Sequence, residues 1–325
     1  MENATSPKTA SLRKAYGDML VELGRQNENV VVLEADLGKS TMSCFFKDLF
    51  PSRYFEMGIA EQNMASVSAG LALAGKIPFY STFAVFASGR AYDQIRCSIA
   101  IPEANVRICG SSCGLSDFGD GKTHQSIEDA NIIRAIPNMT VLNPVDAVEV
   151  QKMMALMVSH RGPVYIRVNR NDLPVYTAPG GDYQIGRMYP VPGYDSPDAE
   201  AVIFATGVMV WQSVEAVKEL RKEGCDAQVI NVSTLKPLLK EEALKYAAGR
   251  KAIITAEEAN KIGGLGSGIA SLLMGEVNVP FEQIGIEDQF GTSAHSYGEL
   301  LEHYGLSSDY IYRAVKKALK KGEIR

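Results

Sequence analysis

No run of about 18 apolar residues occurs anywhere in the 325-residue sequence, which excludes a membrane-spanning helix of ordinary length. The opening stretch, Met1 to Lys8, has no apolar core of a signal peptide, so a cytoplasmic location is the expectation. Cysteines are few and unpaired in spacing. The five, at 44, 97, 109, 113 and 225, exclude a disulfide framework and point to free thiols in a reducing compartment. Cys109 and Cys113 have no second pair to complete a tetrahedral metal site. A basic excess is missing too: 33 Lys and Arg stand against 38 Asp and Glu, a net charge of −5, with no footprint for nucleic acid. The one basic cluster, Lys316, Lys317, Lys320 and Lys321, shares a helical pattern with the apolar stripe Ile311, Val315, Ala318 and Leu319, and reads as a solvated face. No short internal repeat is present.

What is there has the balance of an ordinary globular protein, 46% hydrophobic and 22% charged, long enough for roughly two domains of about 150 residues each. Strand-like runs at Asn29–Asp36, Tyr54–Gly58, Pro78–Phe83, Val106–Ser111, Met139–Asn143 and Pro163–Val168 alternate with helical patterns around Leu12–Arg25, Ala60–Ala74, Gly89–Ile101 and Ala147–His160. Such alternation predicts an α/β fold with a mostly parallel sheet covered by helices on both faces. Residues 176–198, rich in Pro and Gly, interrupt the pattern and read as a linker or excursion. A second α/β series follows at Ala201–Thr206, Ala227–Val232, Ala252–Glu257 and Phe281–Ile286, with a last helix from Asp309. The expected division is 1–175, a linker 176–198, and 199–325. Ligands of parallel sheets bind beyond the carboxyl ends of the strands, so the polar residues there carry the functional reading.

The most informative residue is Glu61, at a strand-to-helix junction where burial is expected. A buried carboxylate is protonated, paired or working, although a first-turn Glu stabilised by the helix dipole is the plainer alternative. Phe83 and Phe86, three apart beyond a strand, either line a flat apolar slot or pack in the core. The loop from Gly114 to Gln125 gathers Asp117, Asp120, Lys122, Thr123 and His124, one of four histidines, and suits acid–base work or hydroxyl recognition; a solvated loop is the alternative. Gly119-Asp120-Gly121 followed by Asn143 imitates a magnesium- and diphosphate-binding motif. In that motif the glycines directly follow a strand, which they do not do here, so the match is a decoy. The turn Gly263–Gly268 opens a helix but lacks a Walker lysine and reads as close packing rather than a phosphate cradle. Arg13, Ser40 and Arg170 each fall beside an element end; arginine suits anions, but by spacing alone the three pass as surface residues.

Taken together these pieces resemble the C-terminal half of a transketolase, its pyrimidine-binding domain followed by its C-terminal domain. The resemblance runs through Ala35-Asp36-Leu37, Gly58-Ile59-Ala60-Glu61-Gln62-Asn63-Met64, Ser81-Thr82-Phe83, Gly119 to Gln125, Pro137-Asn138-Met139 and Arg170 to Pro174 in the first domain, and Gly263–Gly268 in the second. It covers essentially the whole chain. It implies that Glu61 contacts N1′ of the thiamin diphosphate aminopyrimidine, sharing the proton that sets the ring's reactive tautomer. It further implies that Phe83 and Phe86, with Tyr92 as a substitute for a third aromatic where Gly89 stands, surround that ring, and that Asp36 lies near the cofactor's middle. By the same resemblance Asp120 and His124 bind sugar hydroxyls, and Arg13, Ser40 and Arg170 hold the substrate's terminal anion.

One departure from the family pattern falls in the anion pocket: Ser112 stands where a histidine is usual, which makes a sulfonated sugar an alternative to a sugar phosphate. The resemblance also implies that magnesium or calcium and the diphosphate are held mainly by a separate N-terminal subunit, in a heterotetramer of two of each chain. The small residues of the Ala60–Ala74 helix suit such an interface or intrachain packing equally. Rival readings are the beta subunit of a 2-oxo acid dehydrogenase, a deoxyxylulose-phosphate-synthase-like activity suggested by Arg90 to Gln94, and a non-catalytic regulatory subunit.

Overall fold

The computed structural model of the chain describes residues 8–323; the signal-peptide reading of the first residues therefore lies largely outside the described part. Apolar runs become central strands. Val30–Glu34 and Val164–Val168 are buried at every position, as expected of parallel strands covered on both faces. Seven strands form the first sheet, in the order Thr234–Lys236, Thr140–Leu142, Val164–Val168, Arg107–Ser111, Ile77–Phe83, Val30–Glu34, Tyr54–Glu56. All pairs are parallel except the one made by Thr234–Lys236. The second sheet runs Phe281–Ile286, Ala252–Asn260, Ala201–Ala205, Ala227–Asn231, Tyr189–Pro190, with only the last pair antiparallel. The fold is thus α/β, two mostly parallel sheets flanked by helices.

Local chemistry sets the helices. Leu12–Gln26 starts at Ser11, whose hydroxyl accepts the Lys14 amide, and buries Leu12, Ala15, Tyr16, Leu20 and Leu23 on one face. Glu61–Leu73 buries Glu61, Met64, Ala65, Ser68 and Ala69, and leaves Gln62, Asn63, Ser66, Gly70 and Leu73 exposed. The stretch expected as one helix over 89–101 is instead a π turn at Phe86–Arg90, a short α turn at Tyr92–Gln94 and a second π turn at Ile95–Ala100. The wider turns add a residue each and break the 3.6 period that the sequence pattern assumed. At the C-terminus, Lys316 pairs with Glu223, and Lys317 and Lys321 with Glu282, so the lysines form a solvated face.

Residues 176–198 do more than connect. Tyr183, Met188 and Val191 are buried, Tyr189–Pro190 extends the second sheet, and the Tyr183 hydroxyl meets that of Thr234 at 2.6 Å. The second half of the chain in turn supplies the edge strand Thr234–Lys236 to the first sheet.

Three carboxylates are buried where the two halves meet. Burial pushes Glu149, Glu257 and Glu258 up to about 7 from an ordinary 4.5. The folded protein therefore retains protons that the unfolded chain releases, and stability is lost as pH rises from about 4.5 to about 7. The expected calorimetric result is a melting temperature that falls across that interval. A flat profile there would show these groups to be solvated.

Candidate active site

The carboxyl ends of the first sheet's strands bring the sequence-predicted residues onto one edge. Ser81 lies opposite Glu34 in the sheet register, and Phe83 opposite Ser111, which places the turns at Asp36, Phe83 and Ser112 side by side. The N-terminal strand Thr9–Ser11 pairs antiparallel with Asp172–Pro174, setting Ser11 across from Asp172. That ladder carries Arg13 to Arg170, 157 residues away: the Arg13 Nε donates to the Arg170 carbonyl at 3.1 Å and its Nη1 to the Ser40 carbonyl at 2.9 Å. Ser40 thus contributes its backbone to the cluster.

A chain of contacts joins the remaining groups. Glu61 is 1% exposed, and both its oxygens accept from Nη1 of Arg90 at 3.0 Å. The Arg90 guanidinium lies over the Phe86 ring at 4.6 Å. Phe86 and Phe83 are stacked, 6.1 Å apart with 13° between planes, and the His124 ring stands edge-on to both. Arg170 lies 6.0 Å from the Phe83 ring and pairs with Asp117 at 2.8 Å. Carboxylate, aromatic pair, histidine and arginines therefore form one surface. Burial, and then the neighbouring Arg170, lower the Arg13 pKa, so the two guanidiniums crowd each other and favour an anion between or beside them. Burial raises Asp117; Arg170 opposes this, while the Asp120 carboxyl facing Asp117 adds to it. Asp120 itself is exposed, and the Thr123 hydroxyl lies 3.0 Å from Nδ1 of His124.

Asp36 holds a left-handed turn, φ 58°, with its amide on Glu56 Oε1 at 3.0 Å. Beside it the Leu37 amide donates to Glu34, whose carboxyl burial pushes up to about 7, with the facing Glu56 adding to the rise. Ser112 is also left-handed, φ 54°, and its buried hydroxyl has no partner, like those of Ser111 and Thr82. Unpartnered buried hydroxyls at the mouth of an aromatic and arginine-lined surface fit a polar ligand that is itself bound there. Tyr92 packs, partly buried, against the apolar core, and the Phe83–Phe86 stack is a pair.

Asn143 donates to Thr206 at the junction of the two halves. The amides of Leu265 and Gly266, which would cradle a phosphate, already donate to Glu257 at 2.6 and 2.8 Å. Among the described residues no group of three or more His, Cys, Asp or Glu side chains is arranged to hold a metal ion. No described helix is long and apolar enough to cross a membrane. A separate cavity of about 240 Å³ is lined by Tyr176, Tyr183, Glu149 and Asn231.

A model of the transketolase pyrimidine-binding domain matches residues 8–175, and one of the transketolase C-terminal domain matches 194–311. The chain belongs to the transketolase family. It is 37% identical over 97% of its length to the 6-deoxy-6-sulfo-D-fructose transketolase subunit SqwH of Clostridium sp. (strain MSTE9), covering 96% of that protein. Identity to rat (Rattus norvegicus) transketolase is 35% over 95% of the chain, which spans only 49% of that longer relative. Among solved structures, a split-gene transketolase in an inactive beta4 tetramer superposes with a TM-score of 0.85 at 42% identity, over 95% of this chain and 98% of that one. The chain thus corresponds to the C-terminal half of a divided transketolase.

Sequence reasoning singled out Glu61 but not its partner Arg90, and placed Asp117 in the polar loop without seeing that it pairs with Arg170. Glu258 was passed over because the strand expected to end at Glu257 continues to Asn260. Two adjacent carboxylates inside an otherwise apolar strand were the available signal.

Proposed function

We propose that the chain is one subunit of a thiamin-diphosphate-dependent transketolase that moves a two-carbon ketol unit from an anionic ketose to an aldose. The observation that carries this is the single continuous surface formed by buried Glu61, the Phe83–Phe86 pair, His124 and the Arg13–Arg170 cluster. Thiamin diphosphate, when bound, supplies an electron sink for carbon–carbon cleavage beside a carbonyl. The residues of this chain fit its aminopyrimidine end. Glu61, whose carboxylate is held by Arg90, would meet N1′ of the ring, and Phe83 and Phe86 would flank the ring and exclude water. His124 and Asp120 hold the sugar hydroxyls and exchange protons with them. Arg13 and Arg170 offer charge to the far anion.

Magnesium or calcium and the diphosphate belong in this reading to a separate N-terminal subunit, in a heterotetramer of two of each chain. The exposed face of the Glu61–Leu73 helix, with Leu73 69% exposed, and Ile59 just before the helix, 74% exposed, are available to such a neighbour. A sulfonated donor is a second reading of the same site, favoured by the unpartnered Ser112 hydroxyl and the similarity to the sulfofructose transketolase subunit. The test is ketol release by the assembled complex from a 6-phosphorylated ketose, its 6-sulfonated counterpart and the neutral sugar. Turnover of at least one anionic ketose, about tenfold or more above the neutral one, is expected. Ser112→His should move the preference towards phosphate. Preference for a 2-oxo acid would overturn the proposal.

A further inference from the structure

The loop that carries Asp117, Asp120 and His124 is held from outside its own sheet, by the second half of the chain. Glu258 lies in the strand Ala252–Asn260, fully buried, and its Oε1 accepts from the Leu115 amide at 2.8 Å and from the Tyr297 hydroxyl at 2.7 Å. The same hydroxyl accepts from Asn169 Nδ2 at 2.9 Å, and Asn169 Oδ1 in turn accepts the Asn171 amide at 2.8 Å. One carboxylate oxygen therefore ties together the two segments that carry Asp117 and Arg170. The fit leaves no slack: a Cβ at Gly114, where φ is +62°, would fall on the Glu258 carboxyl.

The far end of the loop is fastened as well. Gln125 Nε2 donates to the Thr292 carbonyl at 2.9 Å, and the Ala294 amide donates to the Phe118 carbonyl at 2.9 Å. Between these anchors Asp120 and Thr123 are exposed and His124 is half-buried, so the reactive part of the loop depends on its ends for its shape. Charge near Glu258 is already matched without the loop, since Arg167 is held by Asp129 through two bonds of 2.9 Å. The carboxylate is thus free to serve the Leu115 amide and Tyr297.

We infer that Glu258, acting with Tyr297, is a positioning residue by which the C-terminal half of the chain sets the substrate loop and the Arg170 segment in register. The inference rests on the proposed function for the identity of the substrate, but not for the loop's order. Glu258→Leu in the full chain is expected to raise amide hydrogen exchange across 113–126 about tenfold or more while the central strands stay protected. In the assembled complex it is expected to raise KM for the anionic ketose about tenfold or more and to lower kcat through the displaced His124, with thiamin diphosphate affinity within about threefold. Glu258→Gln keeps an acceptor at the same place and should restore both readings. Tyr297→Phe, which leaves Glu258 and the core intact, should give a smaller change in the same direction, and it decides the matter if Glu258→Leu does not fold.

Unchanged loop exchange in the folded variants would overturn the inference. So would destabilisation of the whole chain with KM unaltered, because that is the signature of a purely structural contact. A complex that performs no ketol transfer at all would sink the proposed function, and the exchange result would still stand or fall by itself.

Discussion

Replacing Glu61 by alanine in the assembled enzyme is expected to lower kcat by roughly 10²- to 10⁴-fold, the range typical of a lost proton-transfer group. Circular dichroism and thermal unfolding should change little in comparison. The side chain is 1% exposed, so the substitution leaves a small cavity, but it also removes a buried charge whose partner, Arg90, can turn to solvent. Arg90→Leu should cost less activity, since it removes a companion of the carboxylate and not the carboxylate itself. Near-normal turnover by Glu61→Ala would take Glu61 out of the chemistry and return it to the helix-dipole reading.

The second large effect is one of composition. The purified chain alone is expected to turn over no ketose, and addition of the N-terminal subunit with thiamin diphosphate and magnesium to restore activity in full. The physical ground is the division of labour on the surface described here. It offers a carboxylate, an aromatic pair and an anion cluster, all suited to the ring and the sugar. The glycine-rich helix start at 263–268 has its amides committed to Glu257. Reconstitution is read by ketol release as the partner is titrated in. Full turnover by the isolated chain would end the split-enzyme proposal.

Much of the architecture was legible along the chain because strands buried on both faces must be apolar throughout, and their polar ends then stand out. Val30–Glu34, Ile77–Phe83 and Arg107–Ser111 each lie within or within a residue of their expected ranges. The apolar stripe of the first helix was equally plain, from a periodicity that needs no knowledge of neighbours. Where the backbone leaves that period the reading failed. The π turns at Phe86–Arg90 and Ile95–Ala100 replace one regular helix. The stretch rich in Pro and Gly at 176–198, read as a linker or excursion, falls largely between the two matched domains, and its Tyr183 and Met188 are drawn into the junction.

The sequence by itself determined the α/β class, the succession of strands, and the residue types at the strand ends, Glu61, Phe83, Asp120, His124 and Arg170 among them. These follow from local periodicity and from the cost of burying polar groups. Only the tertiary structure decided how they meet. Arg13 reaches Arg170 because two short edge strands pair across 157 residues. Arg90 finds Glu61 across 29, and Glu258 finds Leu115 across 143. Hydrogen bonds and ion pairs of that span depend on chain crossovers and side-chain direction, and no local pattern encodes either.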